Sequence, residues 1–271
     1  MATSLLTDWQ ITGEPPKAYG PYHLVCLALT VVLCILLCKT LASKHDKKTD
    51  DIVIFAFGCV LVGIEIYKQI FVCRLNSNYP WGHFPFQFCS VPMYVAFIAP
   101  HIKHEKTKEA FYQFLAFYGL TAGVAVMLNP ASCLNNTYIA MLAHTMIWHI
   151  SIILMGVYLL CAKGYGQSFL RELPKACLVF VGVVMMATIS NEIAFQLFTK
   201  YPHFNPDGHE FNLFYLSPYY DIPVSFLVSF KEKCPLPLFV LLYIAVFTLG
   251  ATLVWVITHL SRKAQHKTRN T

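Results

Sequence analysis

The chain has 271 residues, of which 56% are hydrophobic and 13% charged, and its formal net charge is +6 at pH 7. Ordinary soluble domains carry about 25% charged residues, so this composition excludes both a water-soluble globular protein and a disordered chain. The ten cysteines contain no C-x-x-C pair, which disfavours a structural zinc site.

Seven apolar stretches follow one another along the chain, each near the roughly 20 residues needed to cross about 30 Å of hydrocarbon. We predict an all-α, polytopic membrane protein: a seven-transmembrane-helix bundle forming one integral membrane domain over residues 1–271. The third stretch is the weakest, because it is short and carries Pro92 and Pro100. The predicted spans are residues 21–42, 50–71, 85–102, 109–129, 137–162, 172–198 and 235–260.

Basic residues are divided unequally between the two sides of this bundle. With seven spans, 14 of the 20 Lys and Arg residues fall on one side. Because basic residues collect on the cytoplasmic side, we predict an external N-terminus and a cytoplasmic C-terminus, in a plasma or cytoplasmic membrane. The basic tail belongs to this signal, so no nucleic-acid partner is expected. The 14 residues are Lys39, Lys44, Lys47, Lys48, Lys103, Lys106, Lys108, Lys163, Arg171, Lys175, Arg262, Lys263, Lys267 and Arg269.

Polar residues interrupt four of the apolar stretches at a similar depth. Glu65, for example, lies about six residues, or roughly 9 Å, below the external end of span two. Such groups are costly in hydrocarbon, so by default they face a protein interior and mark a functional site. For Lys68 and Glu192, snorkelling to the interface is an equal alternative. The layer consists of Glu65, Lys68, Cys89, His144, His149, Asn191 and Glu192.

Cys89 and His149 allow a specific chemistry within this layer. A thiol is a weak nucleophile until an adjacent imidazole takes its proton. Glu65 or Asn191 can orient that imidazole as the third member of a triad does. His144 is five residues from His149, about 140° around the helix, so the two do not share a face as metal ligands would. We therefore predict no metal and no cofactor.

The backbone beside Cys89 is also unusual. Pro92 has no N–H to donate to the Phe88 carbonyl, which predicts an unsatisfied acceptor and a bend at Cys89. The long connection 199–234 is rich in Pro, Tyr and Phe. Aromatic rings collect at membrane interfaces, so this loop is predicted to cover the external end of the bundle.

Five segments carry a resemblance to a known family. Residues 84–90 (FPFQFCS) resemble the LPLHLCS segment of the YwaF-like integral membrane proteins, whose animal relative is transmembrane protein 164. Residues 117–123 (FYGLTAG), with Asn129 and Pro130, resemble their FWGL-GA…LLTP helix, and 149–154 (HISIIL) match H-x-x-I-I-L. Asn191 matches an Asn of the sixth helix, and 216–220 (LSPYY) the LGPWPYY loop. The resemblance covers roughly residues 55–260 and departs at Gln87, where the family has His.

The resemblance implies acyl transfer within the membrane. Transmembrane protein 164 is described as a cysteine-dependent acyltransferase that moves a fatty acyl chain between phospholipids, with a His partner. Carried over, Cys89 attacks the ester and His149 acts as its base. The cavity around them is formed by Glu65, Gln87, His144, Asn191 and Glu192. Phospholipid and lysophospholipid are then the partners.

Two other classes of function stay open from the sequence. A small-solute or proton-coupled transporter also places ionisable residues in a buried layer, but it does not need Cys89. The chain lacks the paired, interrupted helices of an inverted-repeat transporter. A non-catalytic membrane sensor or assembly protein would use the aromatic loop as its interaction surface.

Overall fold

The structure is a computed structural model that describes residues 10–11, 13–222 and 225–269, and the regular elements of this part are helices. The first nine and last two residues of the predicted domain 1–271 lie outside the described residues. The helices are α1 Pro21–Thr40, α2 Lys47–Leu75, α3 Val91–Ile98, α4 Glu105–Phe114, α5 Leu120–Leu128, α6 Ala131–Leu134, α7 Ile139–Ala162, α8 Phe169–Lys200, α9 Ser225–Lys233 and α10 Leu236–Arg269.

Five helical segments of the described chain are long and apolar enough to cross a membrane. The predicted multi-pass helical architecture is therefore confirmed, whereas the number of seven spans and the orientation of the termini stay predictions. Predicted span 50–71 lies inside α2, and predicted span 85–102 corresponds to a shorter apolar segment, Phe88–His101. The five segments are Pro21–Lys44, Glu105–Leu128, Ile139–Ala162, Phe169–Lys200 and Leu236–Lys267.

The short third segment has a local cause. Residues Phe88–Ser90 form a single 3₁₀ turn, and the regular helix α3 begins only at Val91, with Pro92 in its first turn. The bend predicted beside Cys89 is thus present. The predicted unsatisfied acceptor is wrong, because the Val91 N–H donates to the Phe88 carbonyl in the tighter 3₁₀ geometry.

The centre of the bundle is formed by two antiparallel rods. One rod is α4 and α5, joined through a π-helical turn at Leu115–Gly119 whose five residues are all buried. The other is α7. They cross so closely that a Cβ on Gly156 would lie 2.7 Å from the Leu120 Cβ. The membrane-spanning windows of these rods are 67% and 72% buried within the chain, against 11%, 28% and 17% for α1, α8 and α10. The three outer helices therefore leave most of their apolar surface for lipid.

The bundle has two polar ends, which we name after their central residues. Asp50 and Glu65 both lie on α2, about 22 Å apart by helical rise, so α2 connects the two ends. The Cys89 end contains the C-terminal part of α2, the turn at Cys89 and the connection between α8 and α10. The Asp50 end contains the start of α2 and the connection between α7 and α8. Ile11 donates its N–H to the Thr137 carbonyl at 2.8 Å, beside the start of α7 at the Cys89 end.

Candidate functional site

Cys89 lies in the middle of the 3₁₀ turn Phe88–Ser90. Cys89 is half-buried, whereas the residues on both sides of it are buried. The indole N–H of Trp148 donates to the Cys89 carbonyl at 2.9 Å and so holds this turn against α7. The turn therefore holds one half-buried cysteine on a backbone that is fixed by a neighbouring helix.

The two histidines of α7 differ in what holds them. His149 is buried, and its Nδ1–H donates to the Thr145 carbonyl of the same helix at 2.8 Å. His144 stacks on Trp148, and its Nε2 is buried without a hydrogen-bond partner. In the described part of the chain no direct hydrogen bond links Cys89 Sγ to either imidazole, and the predicted Cys89–His149 dyad stays a prediction.

Glu65 and Lys68 lie on α2, which runs antiparallel to α3 and contacts it at Gly58 and Phe97, so both lie near the level of the Cys89 turn. Lys68 Nζ lies 2.8 Å from Glu65 Oε1, and Gln69 Nε2 donates to the same oxygen at 2.7 Å. Glu65 Oε2 is buried and has no partner. This ion pair therefore belongs to the surroundings of the thiol.

The loop that follows α2 fixes the amide of Gln69. Gln69 Nε2 donates to the His83 carbonyl at 2.9 Å, and the Tyr79 hydroxyl donates to Gln69 Oε1 at 2.9 Å. Burial raises the pKa of Tyr79 to about 12, so this hydroxyl keeps its proton and remains a donor. Loss of surrounding water, followed by the charge of Lys68, lowers the pKa of His83.

Two amide side chains clamp the connection between α8 and α10. Gln87 donates to the Asn212 carbonyl at 3.0 Å and accepts from the Phe214 N–H at 2.9 Å. Asn191, from the middle of α8, donates to the Leu213 carbonyl at 2.9 Å and accepts from the Leu213 N–H at 2.8 Å. We call residues 211–217 the clamped segment. Gln87 and Asn191 thus both bind the clamped segment, and each does so through its amide nitrogen and its amide oxygen.

The clamped segment is held by side-chain packing as well as by these hydrogen bonds. Phe214 has a φ of +56° and Tyr215 a φ of +58°, a left-handed conformation that non-glycine residues adopt at a cost. The Phe214 ring is buried, 5.6 Å from the Phe88 ring and 6.4 Å from the Tyr243 ring between centroids. Its contact with Phe88 places the segment directly over the turn that carries Cys89.

Glu192 lies apart from the other predicted site residues. It is exposed, accepts from Gln196 Nε2 at 2.8 Å and from the Tyr219 hydroxyl at 2.8 Å, and does not contact the ion pair of α2. Tyr219 in turn stacks on Phe195, with ring centroids 3.4 Å apart. Glu192 therefore ties the aromatic loop to the outer face of α8.

Sequence reasoning missed the charged network at the Asp50 end. Asp50 is 1% exposed; it accepts from the Tyr158 hydroxyl at 2.8 Å, and its other oxygen faces Lys163 at 3.8 Å and His45 at 3.7 Å. Lys163 also lies 3.5 Å from Glu109. The sequence signal was the Asp50-Asp51 pair at the start of the predicted span 50–71.

Further carboxylates complete this network. Lys108 donates to Asp51 at 2.7 Å, and Asp51 also accepts from the Tyr112 hydroxyl. Glu172 accepts the backbone N–H groups of Gly166, Gln167 and Ser168 and the indole N–H of Trp255. Each carboxylate oxygen of Asp50, Asp51, Glu109 and Glu172 therefore faces a donor or a cation. Among the described residues, no group of three His, Cys, Asp or Glu side chains could hold a metal ion.

Several apolar helices that pass through a membrane, with polar side chains held between them, define a multi-pass integral membrane protein. The chain belongs to the TMEM164 family, whose sequence model matches residues 18–258. The match includes every predicted site residue, and it is compatible with the YwaF-like resemblance. No curated protein and no solved structure matches the chain.

Proposed function

We propose that this protein is a membrane-embedded cysteine acyltransferase that moves a fatty acyl chain from a phospholipid to a lysophospholipid. The observation that carries the proposal is the turn at Cys89, where one half-buried cysteine stands between buried neighbours on a backbone held by Trp148. A nucleophile needs this combination of access and fixed position. The TMEM164 family membership is compatible with it.

The first step forms a thioester. The Cys89 thiol gives its proton to a base, its sulfur attacks the ester carbonyl of the donor phospholipid, and the ester C–O bond breaks. The departing alkoxide takes the proton back and leaves as a lysophospholipid. Cys89 then carries the acyl group.

The second step reverses the first with a different alcohol. The free hydroxyl of the acceptor lysophospholipid loses its proton to the base, attacks the thioester and forms a new ester, and the proton returns to the Cys89 sulfur. One ester is broken and one is made, so the cycle needs neither acyl-CoA nor a nucleotide.

His149 is the proposed base. A carbonyl only accepts hydrogen bonds, so the bond to the Thr145 carbonyl requires the proton of the neutral ring to sit on Nδ1. The unprotonated nitrogen is then Nε2, as a general base requires. The clamped segment over the Cys89 turn supports the same reaction, because a thioester survives for transfer only where water is excluded.

A proton-coupled transporter is the second candidate. It is favoured by two of the buried atoms that lack a partner, Glu65 Oε2 and His144 Nε2, because proton relays place ionisable groups in such surroundings. In that case Cys89 is a packing residue. A non-catalytic sensor has no observation of its own in its favour.

The test uses purified protein in vesicles that contain a phospholipid with a labelled acyl chain and an unlabelled lysophospholipid. Wild-type protein is expected to transfer the label without acyl-CoA, and Cys89→Ala to abolish transfer. A long-chain electrophile should label Cys89 and, since only the thiolate reacts quickly, His149→Ala should suppress both labelling and transfer. His144→Ala should spare most of each.

Cys59→Ser is the matched control, because Cys59 is an exposed cysteine of α2. It should leave labelling at Cys89 and transfer unchanged. Absence of transfer by wild-type protein, together with equal Cys89 labelling in wild type and His149→Ala, would contradict the acyltransferase. Solute or proton flux that survives Cys89→Ala would favour the transporter.

A further inference from the structure

Lys68 is unusual because its charged side chain is largely buried. Its side chain is 16% exposed, and that of its partner Glu65 is 7% exposed. An ammonium group has three N–H donors, and the ion pair with Glu65 Oε1 at 2.8 Å uses at most one of them. No other hydrogen bond or ion pair of Lys68 is formed with a described residue. Two donors of a largely buried ammonium are therefore available to a ligand.

Glu65 is placed to hold Lys68 and not to bind a ligand itself. Its Oε1 is fixed by Gln69, which the Tyr79 hydroxyl and the His83 carbonyl fix in turn. Its Oε2 is sealed from solvent. The carboxylate thus supplies a buried negative charge against which the ammonium is positioned, while the accessible face of the pair belongs to Lys68.

The position of Lys68 relative to the Cys89 thiol indicates which part of a lipid the ammonium group can contact. α2 and α3 run antiparallel and meet at Gly58 and Phe97, and Gln69 donates to the His83 carbonyl, so Lys68 lies near the level of the turn that carries Cys89. Along α2 it is three residues beyond Glu65, which is about 4.5 Å nearer the open end of the helix. In a glycerophospholipid the phosphate lies on the water side of the esters, separated from them by the short glycerol backbone.

We infer that Lys68 binds the phosphate of the lipid substrate and that Glu65 is its positioning residue. The inference rests on the proposed acyl transfer, since it assigns Lys68 the non-reacting part of that substrate. Phosphodiester oxygens accept charge-assisted hydrogen bonds from an ammonium, and the two unused donors fit two such oxygens. With the phosphate held at Lys68, the glycerol esters extend inward to Cys89.

This assignment makes Lys68 the residue that selects phosphate-bearing lipids. A monoacylglycerol offers the same acyl chain and hydroxyl but no anion. It leaves the Lys68 donors unpaired, and a buried donor without a partner disfavours the complex. A soluble glycerophosphodiester offers the anion without the chain, and free inorganic phosphate only the anion.

The experiment measures binding to the Cys89→Ala protein in detergent, so that its result does not depend on catalysis. Lysophosphatidylcholine is compared with a monoacylglycerol of the same chain length, with glycerophosphocholine and with inorganic phosphate. Lys68→Gln is expected to weaken lysophosphatidylcholine binding by about tenfold or more, the effect of losing one charge-assisted bond, and to leave monoacylglycerol binding unchanged. Lys68→Arg should stay within about threefold, since it keeps the charge and the donors.

Lys200→Gln is the matched control, because Lys200 is an exposed lysine at the same end of the bundle and its ammonium lies over the Tyr201 ring. It should not change the preference for the phosphate-bearing lipid. Glu65→Gln should reduce that preference, and Glu65→Asp should restore part of it. The preference is a ratio of two affinities measured on one variant, so a general loss of folded protein does not move it.

The outcomes separate the two proposals. If wild-type protein transfers acyl chains and Lys68→Gln keeps the wild-type preference, Lys68 does not bind phosphate and the inference is wrong. If Lys68→Gln loses the preference but no wild-type transfer occurs, the phosphate site stands and the acyltransferase fails. Tight binding of inorganic phosphate by wild type would identify a free-anion site in place of a lipid site. Should Lys68→Gln not fold, a lysophospholipid with a photoreactive headgroup must cross-link wild type around Lys68, and cross-links confined to other segments overturn the inference.

Discussion

The two polar ends of the bundle differ in how fully their buried ionisable side chains are paired. At the Asp50 end, each oxygen of Asp50, Asp51, Glu109 and Glu172 faces a donor or a cation. At the Cys89 end, one oxygen of Glu65 and one nitrogen of His144 are buried without a partner. Buried polar groups are normally satisfied, so the exceptions call for a reason. Gln113 Oε1 on α4 is a further buried exception, but the four carboxylates are all paired at the Asp50 end, whereas an acid and a base each keep an unpartnered buried atom at the Cys89 end.

The largest loss of stability should come from breaking the paired carboxylate network at the Asp50 end. In Asp50→Ala, Lys163 and Tyr158 lose a buried partner, and removing one member of a buried ion pair costs about 3–5 kcal/mol. We expect a large drop in the unfolding temperature in detergent. Glu192→Ala removes an exposed carboxylate from the other end and should change the unfolding temperature little. Similar unfolding temperatures for the two variants would remove the contrast between the ends.

An intermediate effect is expected at the clamped segment. Asn191→Ala removes both of its hydrogen bonds to Leu213 and leaves buried backbone groups unpaired, at a cost of about 1–3 kcal/mol. Amide hydrogen exchange at residues 212–216 should accelerate, while exchange in α7 stays slow. Gln87→Ala should act on the same amides from the other side. Unchanged exchange in both variants would mean that packing of Phe214, and not the amide bonds, holds the segment.

The smallest effect concerns pH. Loss of water and the nearby Lys68 lower the pKa of His83 below its ordinary value of 6.5, with Glu65 opposing the shift and His209 adding to it. Below pH 6.5 the unfolded ring takes a proton that the folded ring resists, so this contribution to stability is lost as the pH falls. His83→Gln should flatten the pH dependence of the unfolding temperature between about pH 7 and pH 5.5. The ring is partly exposed, so the change is small. An identical pH profile in both proteins would rule out this role for His83.

Hydropathy was sufficient for the helices and insufficient for their irregularities. Each predicted apolar stretch contains a helix, because a run of apolar residues has no other stable arrangement in lipid. The π-helical turn at Leu115–Gly119 could not be read from composition, since it depends on how α5 packs against α7. Pro92 did predict the break beside Cys89. The hydrogen bond from the Val91 N–H to the Phe88 carbonyl could not be predicted, because it depends on the 3₁₀ geometry.

The residue types of the candidate site could be predicted from the sequence, but the direction in which each side chain points could not. Asn191 and Glu192 lie at the same depth, yet neighbouring residues of a helix point about 100° apart, so one is buried at the clamped segment and the other exposed. Gln87 was placed in the cavity by resemblance alone; its amide bonds reach residues 212 and 214, more than a hundred positions along the chain. Sequence spacing carries no information about a contact of that range.

The crossing of α2 and α3 limits how this protein can move. A Cβ on Gly58 would lie 2.7 Å from the Phe97 backbone nitrogen, so the two helices touch at their main chains with no side chain between them. Lys68 lies on α2 and the turn at Cys89 leads directly into α3, so this main-chain contact links the two. Trp148 also ties α7 to that turn, so if the proposed lipid substrate enters from the side, the clamped segment is the neighbouring element that must move.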